Sequence, residues 1–240
     1  MTRIYLTVVS VLLAAPFFQP PAYAAAPDSS ACDASSSAAP CLTEGSILLK
    51  SGYYDEAVSA FSRAVNREPS EDRPYYLRAQ AYAGAGLYHF AAEDMAVLIE
   101  RHPRSAVYRH RRGIMYAGAG QYEKALKDYD KAALMDPSDP IVRNDRAYAL
   151  MRLGRFESAK ADIDRALALE PKFPAAYLNY AAYYLYERHN SAQALKSIEL
   201  AVRNGLRGTQ QLEDENGAGY FLKKFAGRAS VRRVLRGGRR

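Results

Sequence analysis

Residues 118–137 read GAGQYEKALKDYDKAALMDP, and this order of residue types returns along the chain at a fixed interval. The glycine at 120 has counterparts at Gly52, Gly86 and Gly154, each 34 residues from the next. The aromatic two places on recurs at Tyr54, Tyr88, Tyr122 and Phe156. Alanine stands at Ala57, Ala91, Ala125 and Ala159, and a proline closes each unit at Pro69, Pro103, Pro137 and Pro171. Chance would produce the glycine and proline columns with a frequency on the order of 10⁻¹⁰, so the period is a property of the fold. Each column has a local reason. Glycine suits a turn between two short helices, where a positive φ costs it little. The aromatic opens the second helix and is expected to pack back on the first. Alanine lets two helices approach closely, and proline lacks the amide a continuing helix would need.

Apolar residues follow at helical spacing in the second helices: Ala57, Phe61 and Ala64; Ala125, Tyr129 and Ala132; Ala159, Ile163 and Ala166. The first helices carry small residues at Gly45, Ala79, Gly113, Ala147 and Ala181, with large ones three later at Leu48, Tyr82, Tyr116, Leu150 and Tyr184. On these columns the stretch from about 38 to 205 resembles the tetratricopeptide repeat (TPR) family. The resemblance implies an all-α, right-handed solenoid of helix-turn-helix units, four clear and one divergent. The fifth unit begins at Pro174, with His189, Asn190 and Ser191 in place of the turn glycine and aromatic and one extra residue before Ala194. The glycine pairs Gly84/Gly86 and Gly118/Gly120 are turns of successive repeats. No strand precedes them and no full G-x-G-x-x-G is present.

The chain of 240 residues is 49% hydrophobic and 25% charged, enough to bury a core and too apolar for wholesale disorder. Its N-terminus reads as an address. Arg3 precedes an apolar run from Ile4 to Phe18, and Ala22, Tyr23 and Ala24 form a small-x-small site. Residues 1–24 are therefore expected to be a secretory signal peptide, cut after Ala24, rather than a membrane anchor. A secreted chain, in the bacterial periplasm, follows as the expectation. Cys32 and Cys41 then meet an oxidising compartment, where a disulfide staple is the leading reading beside a redox pair or two free thiols. The segment 25–37 is expected to be a flexible lead-in to that staple.

A formal charge of +7 invites a nucleic-acid reading. The excess, however, lies at one end: residues 202–240 hold ten basic and three acidic side chains. Tyr220, Phe221, Leu222 and Phe225, with Val231, Val234 and Leu235, predict short helices over 206–240 that cap the last repeat. Arg228, Arg232, Arg233 and Arg236 would then face solvent, as a bare cap face or as a binder of anionic lipid or acidic envelope polymer. Export and the lack of interleaved aromatic platforms argue against nucleic acid.

Catalytic patterns are missing from the sequence. There is no H-E-x-x-H and no G-x-S-x-G, and His89, His102, His110 and His189 show no ligand spacing. No cofactor is implied. Glu56, Asp94 and Glu123 read as exposed helix faces. The resemblance places the binding surface in a concave groove lined by the first helices. Carried onto this chain, its positions include Thr43, Ser46, Lys50, Arg73, Leu77, Gln80, Arg111 and Ile114, then Asn144, Asp145, Tyr148, Arg152, Asn179 and Tyr186. The mix of guanidinium, amide and phenol groups suits peptide backbone and carboxylates. The lysine and asparagine of the chaperone-tail clamp are absent, since Leu42 and Ser46 stand there. The sequence thus predicts a non-catalytic scaffold that binds a protein or peptide segment within an envelope complex.

Overall fold

The structure, a computed structural model, describes residues 32–33 and 36–206. The expected signal peptide and Arg228, Arg232, Arg233 and Arg236 lie outside the described residues, as does the 206–240 cap beyond Leu206. Among the described residues ten helices run in five antiparallel pairs: α1 (Ala39–Lys50) with α2 (Tyr54–Arg67), α3 (Asp72–Gly84) with α4 (Tyr88–Arg101), α5 (Ala106–Gly118) with α6 (Tyr122–Met135), α7 (Pro140–Arg152) with α8 (Phe156–Leu169), and α9 (Pro174–Tyr186) with α10 (Ser191–Arg203). The described residues include no strand, and none of their helices is long and apolar enough to cross a membrane.

The turn inside each pair follows from its glycine. Gly52, Gly86, Gly120 and Gly154 adopt φ between +73° and +81°. That conformation folds the chain back so the next residue's amide reaches the first helix. Tyr53, Leu87, Gln121 and Arg155 donate to the carbonyls of Leu48, Tyr82, Tyr116 and Leu150 at 2.8–3.0 Å. In the fifth unit His189 takes the left-handed place at φ +48°. Asn190 then supplies the cap, its side chain accepting from the Gln193 amide at 3.0 Å.

Packing within a pair is set by a small residue facing a large one. A Cβ added to Gly45 would lie 2.6 Å from the Phe61 ring, and one added to Gly113 would lie 2.5 Å from the Tyr129 ring. Where the first helix carries alanine instead, the counterpart is aliphatic. Ala79 shares a buried cluster with Met95, and Ala147 shares one with Ile163. The seam is therefore filled at nearly constant volume, as close packing requires.

Three of the aromatics that open second helices, Tyr54, Tyr88 and Tyr122, pack forward on the first helix of the next pair, which corrects the expectation that they fold back on their own first helix. A Cβ on Gly84 would meet the Tyr54 ring at 2.4 Å, and one on Gly118 would meet Tyr88 at 2.5 Å. Tyr122 likewise sits edge-on to Tyr148 with ring centroids 6.1 Å apart. The cause is geometric. Side chains lean toward a helix's N-terminus, and beside the start of α2 lies the C-terminal end of the antiparallel α3. These aromatics join repeats to one another.

A second correction concerns Asp94, read from sequence as part of an exposed face. Asp94, Asp128 and Asp162 are only 3–4% exposed. Each accepts a forked pair of hydrogen bonds, at 2.6–2.9 Å, from Arg78, Arg112 and Arg146 respectively. These hydrogen bonds hold the three guanidiniums above their ordinary pKa. Two of the arginines also reach the preceding repeat, Arg78 to Ser62 Oγ at 3.4 Å and Arg146 to Asp130 at 2.9 Å.

At the front of the stack Cys32 and Cys41 are joined by a disulfide and both are buried. Around it, Asp33 pairs with Arg63 at 2.9 Å, and the Ala38 amide donates to Glu68 at 3.0 Å. Glu56 and Glu123 are exposed, as read from sequence.

Candidate functional site

First helices of successive pairs touch one another (α1–α3, α5–α7, α7–α9), whereas the second helices make no comparable contact. The first helices are thus crowded on the inner side of the curve and form a concave surface. A cleft of about 740 Å³ opens along it. Its walls are largely apolar, with Ile114, Phe173 and Leu178 beside the rings of Tyr88, Tyr129 and Tyr148.

Five of the fourteen groove positions expected from sequence come together in this cleft: Ile114, Asn144, Asp145, Tyr148 and Asn179. The other nine lie off its lining. Thr43, Lys50, Arg73, Arg111 and Tyr186 are exposed, and Ser46, Leu77, Gln80 and Arg152 are half-buried. Arg152 donates to the Tyr148 hydroxyl at 2.8 Å and lies over the Tyr122 ring at 4.5 Å, so it braces a wall of the cleft.

The polar groups form one chain across three repeats. His110 Nε2 lies 2.8 Å from Asp145 Oδ2. Asn144 Nδ2 donates to Asp145 Oδ1 at 3.3 Å. Asn179 Nδ2 donates to the Asn144 side-chain oxygen at 2.7 Å and to the Asn144 carbonyl at 3.0 Å. His110 with Asp145, and Asn144 with Asn179, share a spacing of 35 residues. One repeat plus one residue separates the partners, so His110 and Asn144 hold one position of their first helices and Asp145 and Asn179 the next. His110 was considered in the sequence only as a metal ligand. This spacing is the signal that would have placed it here.

Burial pushes the Tyr129 hydroxyl well above its ordinary pKa, and the nearby Asp145 charge adds to this. Burial raises Tyr148 strongly as well, against the pull of Arg152. Both phenols are therefore neutral at physiological pH. Among the described residues that line the cleft, Asp145 is the one charged side chain. No group of three or more His, Cys, Asp or Glu that could hold a metal ion occurs among the described residues.

Sequence models of the tetratricopeptide repeat match residues 42–106, 76–140 and 113–181. Comparison with curated proteins gives no match. Among solved structures, a thermophilic TPR protein of Thermus thermophilus is 25% identical, with a TM-score of 0.57 over 70% of this chain and 92% of that one. MamA (41-end) from Desulfovibrio magneticus RS-1 is 17% identical, with a TM-score of 0.60 over 70% and 94% of the two chains. YrrB, described as a TPR protein with an unusual peptide-binding site, is 17% identical, with a TM-score of 0.54 over 74% and 91%.

Proposed function

The chain belongs to the tetratricopeptide repeat family, and from that premise we propose that it is an exported, non-catalytic scaffold that receives an extended segment of a partner protein in its concave cleft. The observation that carries this reading is the cleft itself. It joins apolar and aromatic walls to a short row of amide and carboxylate groups on the first helices. Side-chain pockets beside hydrogen-bonding amides are what an extended peptide needs for affinity and register. The carboxylate of the cleft, Asp145, is bonded to His110 and Asn144, and the Tyr148 hydroxyl accepts from Arg152. Holding partners together in a periplasmic envelope complex is the role that fits the export signal at residues 1–24.

The cleft can be blocked without emptying the core, because Ala175 is half-buried and lines it. Peptides selected by display against the mature chain are expected to lose binding to Ala175→Trp. Selected peptides indifferent to that substitution would move the binding site elsewhere.

The charge partition favours a second surface. Residues 202–240 carry a net +7, while residues 25–201 hold 22 basic and 23 acidic groups. We propose that this segment adds affinity for an anionic envelope surface. Sedimentation with anionic vesicles should then depend on residues 207–240 and fall steeply with salt. Equal sedimentation of the truncated chain would overturn it.

A further inference from the structure

Asn179 is 2% exposed and lies in the wall of the cleft. Its side-chain orientation is fixed by its neighbour. The Asn144 backbone carbonyl can only accept, so the Asn179 group 3.0 Å from it is the amide nitrogen. The other end of the amide, Oδ1, then has no hydrogen-bond partner among the described residues. A buried acceptor left unmet is uncommon in folded proteins and asks for a donor.

The surroundings specify what kind of donor. Asp145 contributes a carboxylate to the same cleft, and its side chain is 28% exposed. Asn144 and His110 take one position on each of its oxygens, which leaves further acceptor capacity on both. No Lys or Arg is among the described residues that line the cleft, and Tyr88, Tyr129 and Tyr148 present rings there. An anion would meet the Asp145 charge and an oxygen of Asn179. A neutral hydroxyl or amide could satisfy Asn179 but would leave the carboxylate without a counter-charge. A cationic side chain satisfies both, since it donates several hydrogen bonds and its hydrocarbon stem packs on rings.

We infer that the cleft selects a lysine or arginine side chain of the partner segment, with Asp145 and the Asn179 Oδ1 atom as its acceptors. The inference rests on the peptide-groove reading above and gives that groove its specificity. It is the reverse of a clamp that grips a carboxylate, and it agrees with the absence of that clamp's lysine and asparagine from α1.

The test uses the mature chain and four short synthetic peptides, identical except for a central Lys, Arg, norleucine or Glu. Affinities are read by calorimetry, and the Asn179 side-chain amide is followed by NMR. The Lys or Arg peptide should bind at least tenfold tighter than norleucine, with Glu weakest, and should alone shift the Asn179 resonances. Asp145→Asn, which keeps the shape of the side chain, should bring Lys and norleucine to within about twofold. A Lys preference that survives Asp145→Asn overturns the assignment of the acceptor. Equal binding of all four peptides, abolished by Ala175→Trp, would leave the groove standing and sink the cation preference. Binding of none would remove the groove reading and this inference together. If the Lys peptide bound only after removal of residues 207–240, the pocket would belong to this chain's own arginines and a partner as occupant would be wrong.

Discussion

Gly113 lies inside α5, where alanine would favour the helix by about 1 kcal/mol, yet the position has no room for a methyl group. The Tyr129 ring stands 2.5 Å from where a Cβ would be, and Tyr129 is itself 1% exposed and enclosed. Overpacking of this kind costs about 1–3 kcal/mol, so Gly113→Ala should destabilise the chain in urea unfolding despite the gain in helix propensity. Adding Tyr129→Met should recover most of the loss, because Ala79 and Met95 already form that pairing one repeat earlier. A single variant as stable as the parent would show that the seam is loose. Both columns are visible in the sequence, one as small residues in first helices and one as large residues at helical spacing in second helices. Their coupling is not, because it joins residues 16 apart that meet only once the two helices lie antiparallel. The cleft divides in the same way. Asn144, Asp145, Tyr148 and Asn179 could be placed from their positions in first helices. The His110–Asp145 contact was legible only through its 35-residue spacing, which marks a pair on the inner face once the advance of one repeat over the next is known.

Between helices, the three buried Arg–Asp pairs occupy the middle of the stack and skip its ends. At the corresponding places, the first pair of helices has Glu44 and Ala60, and the last has Tyr180 and Ser197. The pairs therefore belong to units with a neighbour on each side, where burial strengthens the forked bonds and the arginine can also reach backward. Removing one partner leaves a half-buried charge behind. Asp128→Ala should cost about 3 kcal/mol or more, whereas the double change Asp128→Leu with Arg112→Met should cost clearly less. Chemical denaturation of the two variants decides this. If the double variant is the less stable, the pair is net stabilising and the desolvation argument fails here. The three arginines and three aspartates recur at 34 residues as regularly as the turn glycines do. They escaped the sequence reading because hydrophobic periodicity assigns charged residues to the solvent face, and only mutual neutralisation lets Asp94 leave it. The fifth turn was legible for the opposite reason. Its extra residue stands in the sequence as a local change, although the Asn190 cap and the left-handed His189 appear only in the structure.

Over the whole molecule, each pair of helices contacts chiefly the pairs before and after it, so stability is close to a sum of unit and interface contributions. The ends are the weak places of such a stack, and this chain treats its front end with a covalent closure. The Cys32–Cys41 bond packs with Ala38, Ala64 and Leu42 over the open side of α1 and α2, and the Asp33–Arg63 and Ala38–Glu68 contacts fix the same segment. Closing a loop of this size stabilises by about 2–3 kcal/mol on the chain-entropy account. In a globule with a single core that increment would be spread over every element. Here it should stay local, because α5 to α8 do not touch the staple and are held by their own seams and Arg–Asp pairs. Reduction with dithiothreitol should therefore speed amide hydrogen exchange about tenfold or more in residues 38–67, with little change in residues 106–169. A uniform acceleration across both regions would show that the chain unfolds as one cooperative unit, and the nearest-neighbour description of this solenoid would be wrong. No change in either region would mean that the two polar contacts hold the front end without the covalent bond.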